Sequence, residues 1–272
     1  MKRYLFFTLL ISALLHGKEA ALTAIQLIDR NGFSETINDP ERLPMYAVVD
    51  FTEPQPYERV VRHYGKQSRI TTYHTNGLLA DYLEVVGGRA CGRYTRWHET
   101  GHPHLDATLL EGMADCSDVA KATWVFDGLS RVWSEDGTLI AEITYEKGRL
   151  EGESRYYRDS GSLHKCVNYR KSLRHGETHY YDESGTKIGF EHYLEGKLSG
   201  IRKIECPSYR LEERYRDGLL DEGVYYDGDS LLIAAVEKGE GEQVLFDADG
   251  VVSERREVQQ GRLSGSIRTF TP

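Results

Sequence analysis

The fold is decided by residues 145–169, which read Tyr-Glu-Lys-Gly-Arg-Leu-Glu-Gly-Glu-Ser-Arg-Tyr-Tyr-Arg-Asp-Ser-Gly-Ser-Leu-His-Lys-Cys-Val-Asn-Tyr. The segment that follows repeats the pattern, which gives three pairs of equivalent positions: Gly152 and Gly176, Tyr157 and Tyr181, Gly161 and Gly185. Each unit therefore has two glycine turns, separated by short segments rich in β-branched and aromatic residues. Repetition at a fixed period indicates stacked repeats rather than one globular core.

The same signal extends toward the N-terminus. A series of turns, each with an aromatic residue four positions before a glycine, ends at Gly77, Gly101, Gly137, Gly161 and Gly185. These glycines keep one period, except for a longer step from Gly101 to Gly137. Glycine after Asp, Asn or Ser is typical of a hairpin turn that needs a positive φ. The sequence predicts an all-β protein, an elongated single-layer antiparallel β-meander of about eight 24-residue hairpin repeats.

These motifs carry a family resemblance. Tyr156-Tyr157-Arg-Asp-Ser-Gly161-Ser-Leu163 and Tyr193-Leu-Glu-Gly196-Lys-Leu-Ser-Gly200 resemble the MORN-type repeat, and most closely the YwqK-type antitoxin variant of it. The resemblance covers roughly residues 57–270. It implies an elongated sheet and a binding or scaffolding role, and it supplies no catalytic residues.

The N-terminus reads as an export signal. Lys2 and Arg3 precede the apolar run Tyr4–Leu15, which is too short to span a bilayer. We expect a signal peptide over residues 1–20, an N-terminal cap segment over 21–56 and the repeat domain over 57–272. Export would place the mature protein in the periplasm, in the cell envelope or outside the cell.

The net charge of the chain limits the classes of partner that it can bind. The chain has 272 residues and a formal net charge of −9, and removal of residues 1–20 leaves 31 basic and 42 acidic residues, a net charge of −11. Such an acidic protein is poorly suited to nucleic acid or anionic lipid. We expect another protein as the partner, no nucleic acid and no membrane lipid.

One unit contains an insertion. The bend from Gly112 to Gly128 is much longer than the bend from Gly148 to Gly152, and the added chain over residues 113–127 contains Trp124. Insertions in repeats often form binding loops on one edge. We expect a protruding loop that contacts a partner, with two alternatives: a Trp124 that packs on the sheet, or a tolerated loop. The candidate binding residues are Trp124, Tyr156, Tyr180 and Trp133, although aromatic residues in such a ladder are also typical structural residues.

Two further patterns bear on chemistry. His98-Glu-Thr-Gly101-His102 matches the zinc-protease pattern H-E-x-x-H, which requires a helix. Gly101 occupies a repeat turn and Pro103 follows, so we expect His98 and Glu99 to be exposed turn residues and no metal or cofactor to be bound.

Cys91 and Cys116 form a candidate disulfide, while Cys166 and Cys206 are expected to be unpaired.

The leading functional hypothesis is an exported, non-enzymatic repeat protein that binds another protein or acts as a scaffold. The alternative is an antitoxin or immunity-like inhibitor of a secreted toxin. An enzyme would need an acid–base pair or a metal site, and the sequence indicates neither.

Overall fold

The computed structural model describes residues 20–47, 55–65, 67–247 and 249–269. Apart from Ala20, the predicted signal peptide lies outside these residues, and the first strand begins directly after it at Ala21. None of the helices among the described residues is long and apolar enough to cross a membrane.

The described chain forms strands joined by short turns, with two short helices. The elements are β1 (Ala21–Asp29), β2 (Ser34–Ile37), α1 (Leu43–Ala47), β3 (Tyr57–Tyr64), β4 (Ser68–Tyr73), β5 (Leu79–Val86), β6 (Arg89–Trp97), β7 (Pro103–Glu111), α2 (Asp118–Lys121), β8 (Val125–Phe126), β9 (Gly128–Trp133), β10 (Leu139–Glu146), β11 (Arg149–Leu150), β12 (Gly152–Tyr157), β13 (Leu163–Arg170), β14 (Leu173–Tyr181), β15 (Lys187–Leu194), β16 (Lys197–Cys206), β17 (Tyr209–Arg216), β18 (Leu219–Asp227), β19 (Leu232–Glu237), β20 (Glu240–Phe246), β21 (Val252–Gln259) and β22 (Arg262–Thr269).

The 22 strands of the described residues belong to one antiparallel sheet, so the predicted all-β meander is confirmed. The first described strand, β1, is not an edge strand, because it pairs with both β2 and β3. From β3 onward each strand pairs with the next, and β8/β9 and β11/β12 are two strands that are each interrupted near a glycine. Among the pairings of the described residues, β2 and β22 are the outermost strands.

One long edge of the sheet carries two-residue turns, here called the short-turn edge. In the turn Lys147-Gly148 the φ angles are 47° and 80°, the left-handed pair that matches the twist of a hairpin. Neighbouring turns are joined through the backbone. The Gly148 amide donates to the Phe126 carbonyl at 2.8 Å, and the Gly196 amide donates to the Arg174 carbonyl at 2.9 Å. The turns therefore stack at a fixed offset along the edge.

The opposite edge carries longer turns, here called the long-turn edge. In the N-terminal and central repeats, side chains join one turn to the next. Nε2 of His74 lies 3.1 Å from the Trp97 carbonyl oxygen, and Nε2 of His98 lies 3.1 Å from that of Trp133. Arg158 makes the same kind of contact with the following repeat. These bonds tie successive repeats together.

The C-terminal turns on this edge close on themselves instead. The Asp227 carboxylate accepts hydrogen bonds from the amides of Asp229 and Leu231 at 3.0 and 2.9 Å. Asp247 makes equivalent bonds within its own turn. This is the local capping that Asp provides in turns, and these hydrogen bonds stay within each turn.

One face of the sheet is the more buried, and we call it the inner face. In β17 the inward residues Leu211, Glu213 and Tyr215 are buried and alternate with exposed ones. Strand register aligns further inner-face residues from β5 to β22; among them are Leu83, Tyr94, Ser154, Thr178, Arg202, Tyr225, Gln243 and Leu263.

The sheet curls tightly near its C-terminal end. The short turns keep the repeat period at Gly148 and Gly196, with Ser172 between them, and come slightly closer together in sequence at Gly218, Gly239 and Gly261. The Leu220 amide donates to the Gly261 carbonyl at 3.0 Å and so bridges strands that are not adjacent. The inner face of β16–β18 consequently faces that of β20–β22.

Candidate functional site

The inserted residues 113–127 fold back onto the inner face. Trp124 is only 8% exposed and packs in a cluster with Leu83, Tyr94 and Leu109. Its ring meets the Tyr94 ring edge-on at 4.6 Å, and its Nε1 donates to the Met113 carbonyl at 2.9 Å. The expectation of a protruding loop with Trp124 as a surface anchor is wrong, since both polar and apolar parts of this side chain are satisfied internally.

A helix cap and two long-range ion pairs fix this conformation. Ser117 caps the helix α2, because its hydroxyl accepts from the Ala120 amide. Asp115 forms an ion pair with Arg62 on β3 at 2.5 Å, and Lys121 lies 3.5 Å from Asp81 on β5. Two ion pairs, one to β3 and one to β5, thus hold the insertion to the sheet.

The cysteines lie apart from any reactive arrangement. All four are free thiols in the structure, so the candidate bridge between Cys91 and Cys116 is not formed in it. Burial, with the nearby Asp81 carboxylate, raises the pKa of Cys116 to about 12. The thiolate needed for nucleophilic chemistry is therefore disfavoured at this residue.

The remaining candidate aromatic residues are half-buried. Tyr156 and Tyr180 lie on the inner face, where Tyr156 approaches the Tyr169 hydroxyl at 3.4 Å and Tyr180 donates to Glu191 at 2.9 Å. Trp133 lies at the long-turn edge, at the end of β9. The structure therefore does not bring these residues together with Trp124 into one surface.

The zinc-protease string forms a turn, not a helix. Residues 98–102 connect β6 to β7, and Gly101 has a φ of 86°. Glu99 is exposed as expected, but His98 is half-buried and stacks on His104 at 4.3 Å between ring centroids. Within the described residues, no group of three or more His, Cys, Asp or Glu could hold a metal ion.

A buried polar network crosses the inner face between β14 and β20, and it was not predicted. Its centre is Glu213, which is 1% exposed. Arg202 bridges Glu191 and Glu213 at 2.9 and 2.8 Å. Glu213 also accepts from Tyr225 at 2.6 Å and from Gln243 at 2.9 Å.

The network keeps Glu213 ionised. Burial raises the pKa of this carboxyl, but the charge of Arg202 and the hydrogen bonds from Gln243 and Tyr225 outweigh burial and hold the pKa below its ordinary value. Burial together with the Glu213 charge raises the pKa of Tyr225. Both groups are thereby fixed as an anion and a hydrogen-bond donor near neutral pH.

A sequence signal for this network existed. A charged residue stands at an inward position of β17, between Leu211 and Tyr215, in an otherwise regular alternation. Arg202 also falls in the periodic series of Ser130, Ser154 and Thr178, and it replaces their small hydroxyl side chains. A break in periodicity at an inward position marks a buried polar group.

Beside the network lies an open groove, which we call the C-terminal groove. Its volume is about 560 Å³, within the usual range of about 300–1,000 Å³ for ligand pockets. The residues that line it come from β16–β18 and β20–β22: Leu198, Arg202, Tyr215, Gly218, Leu219, Leu220, Gln243, Leu245, Arg256, Val258, Gly261, Arg262 and Leu263. Three of them are arginines and none is acidic, in a chain whose net charge is −9.

Comparison with known proteins gives a repeat family for one segment. Residues 126–147, from β8 to the turn after β10, match the family described as a MORN repeat variant. A search of curated proteins gave no match. Among solved structures, the chain is similar to a porin-like protein from Bacteroides uniformis, with 9% identity, coverage of 92% of this chain and 95% of that chain, and a TM-score of 0.24. At that score the likeness carries no argument.

Proposed function

We propose that this chain, which carries a MORN-type repeat, is an exported and non-enzymatic module that binds another protein through the C-terminal groove. The observation that carries the proposal is the groove itself, a cavity of about 560 Å³ whose lining includes leucines and arginines of the sheet. Apolar surface with a few placed polar groups is typical of binding sites. MORN repeats in general mediate protein contacts, which agrees with this assignment.

Several features favour binding over catalysis. The arginine at the groove floor, Arg202, is already engaged by two carboxylates, and Glu213 is saturated with donors. Both groups therefore stabilise the fold rather than stand ready for proton transfer. The acidic net charge supports a protein partner over nucleic acid or membrane lipid.

Site-specific crosslinking tests the binding surface. A photoreactive amino acid at Leu263 in the groove, 53% exposed, is compared with one at Glu222 on the outer face of β18. In cells that produce the protein, we expect one discrete crosslinked protein from position 263 and none from position 222. Equal crosslinking from both positions, or none from position 263, would contradict the proposal.

Identification of that crosslinked protein also decides the partner class. A secreted toxin would support the alternative of an immunity-like inhibitor, and an envelope protein would support a scaffold.

Export is tested separately. Residues 1–20 are fused to a reporter enzyme that is active only after translocation, and Leu10→Arg in the apolar run serves as the control. We expect activity from the first fusion and a large loss in the second. An inactive first fusion would contradict export while leaving the groove untouched.

A further inference from the structure

The inner face has two comparable regions, and the chain itself fills one of them. Near β5–β7, Tyr94 donates to Asp81 at 2.5 Å, and the cation beside this carboxylate is Lys121. Near β17–β20, Tyr225 donates to Glu213, and the cation is Arg202. Both regions combine a buried tyrosine, a carboxylate and a cation.

The two regions differ in what covers them. In the first, both the cation Lys121 and the apolar cover Trp124 belong to the insertion, a short helical segment laid on the sheet. In the second, Arg202 belongs to the sheet and the space above is the C-terminal groove. The insertion thus shows how a polypeptide segment with a bulky apolar side chain occupies this face.

Charge specifies the segment that the groove fits. Arg202 is neutralised by Glu191 and Glu213, and Arg256 is paired with Glu254 at 2.6 Å. Arg262 is exposed and takes part in none of the ion pairs found among the described residues. The Nε atom of Arg256 is buried and has no hydrogen-bond partner in this part of the chain. Arg262 is therefore the groove cation that is open to a partner, and it lies beside apolar surface.

We propose that the C-terminal groove binds a segment of a protein partner that places a large aromatic or aliphatic side chain among Leu198, Leu245 and Leu263, with an adjacent carboxylate at Arg262. The apolar side chain supplies most of the affinity, and the carboxylate supplies selectivity and orientation. This inference rests on the proposed protein-binding function and specifies the chemistry of the partner.

The chain offers a matched control for the key residue. Arg262 and Arg149 occupy the same position of the Gly-Arg-Leu-x-Gly motif, at 261–265 and 148–152, and both are exposed. Only Arg262 lines the groove. Arg262→Glu and Arg149→Glu therefore change the net charge equally and differ only in location.

The probe is a displayed library of short random peptides. It is selected on the full mature chain carrying Arg149→Glu and counter-selected on the chain carrying Arg262→Glu. We expect enriched peptides to combine an aromatic or large aliphatic residue with nearby Asp or Glu. Arg262→Glu should weaken the binding of a synthetic enriched peptide about tenfold or more, while Arg149→Glu leaves it unchanged.

No enrichment, enrichment of basic peptides, or peptides that bind both variants equally would overturn the proposal. Equal melting temperatures of the two variants exclude a folding defect as the cause of a difference. Crosslinking from position 263 without acidic selectivity would retain the protein-binding function and reject this partner chemistry, so the two failures are distinguishable.

Discussion

The N-terminal and C-terminal parts of the sheet differ in how their inner face is covered. A single-layer sheet leaves its inner face without a second layer, and near β5–β7 the insertion supplies that layer through Trp124. Near β17–β22 the sheet curls until its own strands face each other across a groove. The difference indicates that a shorter repeat and an insertion are alternative means of covering an inner face, and that only the former leaves space for a ligand.

The largest expected effect on stability concerns the region near β5–β7, here called the filled half because the insertion covers its inner face. It is the removal of the Trp124 ring. We expect Trp124→Ala to lower the free energy of unfolding by about 3–5 kcal/mol, since it leaves a cavity against Tyr94. Urea denaturation measures the change, and Trp133→Ala at the half-buried long-turn edge is the control. If Trp124→Ala lowered the free energy of unfolding no more than the control does, the insertion would not stabilise the inner face, and the contrast between the two halves would not hold.

The region near β17–β22, here called the open half because it contains the C-terminal groove, should depend for its stability on the buried charge of Glu213. We expect Glu213→Gln to destabilise the protein by about 2–3 kcal/mol, because it weakens charged hydrogen bonds from Arg202 and Tyr225. Glu222→Gln, in the exposed pair with Arg214, should cost at most about 1 kcal/mol. Urea denaturation of both variants at pH 7 measures the two losses, and equal losses would show that the buried network adds nothing to an exposed ion pair.

The same residue gives a pH dependence. The folded-state pKa of Glu213 lies below its ordinary value of 4.5, so its stabilisation is present above pH 4.5 and is lost as the pH falls through the folded pKa. Denaturation at pH 7 and at lower pH should therefore show a smaller decline for Glu213→Gln than for the unaltered chain. An identical decline in both would mean that the fold does not lower the pKa of Glu213.

The turns of the filled half should be sensitive to backbone conformation. Gly101→Val is expected to cost about 1–3 kcal/mol, because Gly101 has a φ of 86° that a β-branched residue adopts only with strain. Gly101→Asn should cost less, since Asn tolerates this region. Thermal denaturation of the two variants measures the difference, and equal losses would argue against backbone strain.

The smallest effect concerns the links between turns. We expect His98→Ala to cost about 1 kcal/mol, because it removes the hydrogen bond to the Trp133 carbonyl. The exposed neighbour Glu99→Ala should be neutral within about 0.5 kcal/mol. Thermal denaturation of both variants provides the comparison. If neither substitution changed the stability, the hydrogen bonds between the N-terminal turns would stabilise the fold no more than the hydrogen bonds within the C-terminal Asp turns.

The strand pattern could be predicted because it depends on local chemistry. Gly101 and Gly161 occupy turns at a fixed period, and that period fixes the meander without knowledge of long-range contacts. The position of Trp124 could not be predicted, because an insertion of this length can protrude or fold back with the same composition. Only the partners Asp81 for Lys121 and Arg62 for Asp115, which are distant in sequence, select the second conformation.

The groove was beyond sequence reasoning for a related reason. Gly218, Gly239 and Gly261 are slightly out of phase with the earlier glycines, which is visible in the sequence, but the consequence is a change of curvature. Curvature accumulates over many strands. Residues from β16 and β22 therefore line the same groove although five strands separate them along the chain.

The hydrogen bond between the Leu220 amide and the Gly261 carbonyl has a consequence for how the strands should open. In a repeat array each unit contacts its neighbours, so hairpins can detach one after another from an end. This bond instead ties the β21–β22 hairpin to strands two hairpins upstream, so we expect β17–β22 to open as a single cooperative unit. Apart from Leu198 and Arg202 on β16, the residues that line the groove lie within that unit. A bound segment would therefore slow amide hydrogen exchange across all of these strands together, including those that it never touches.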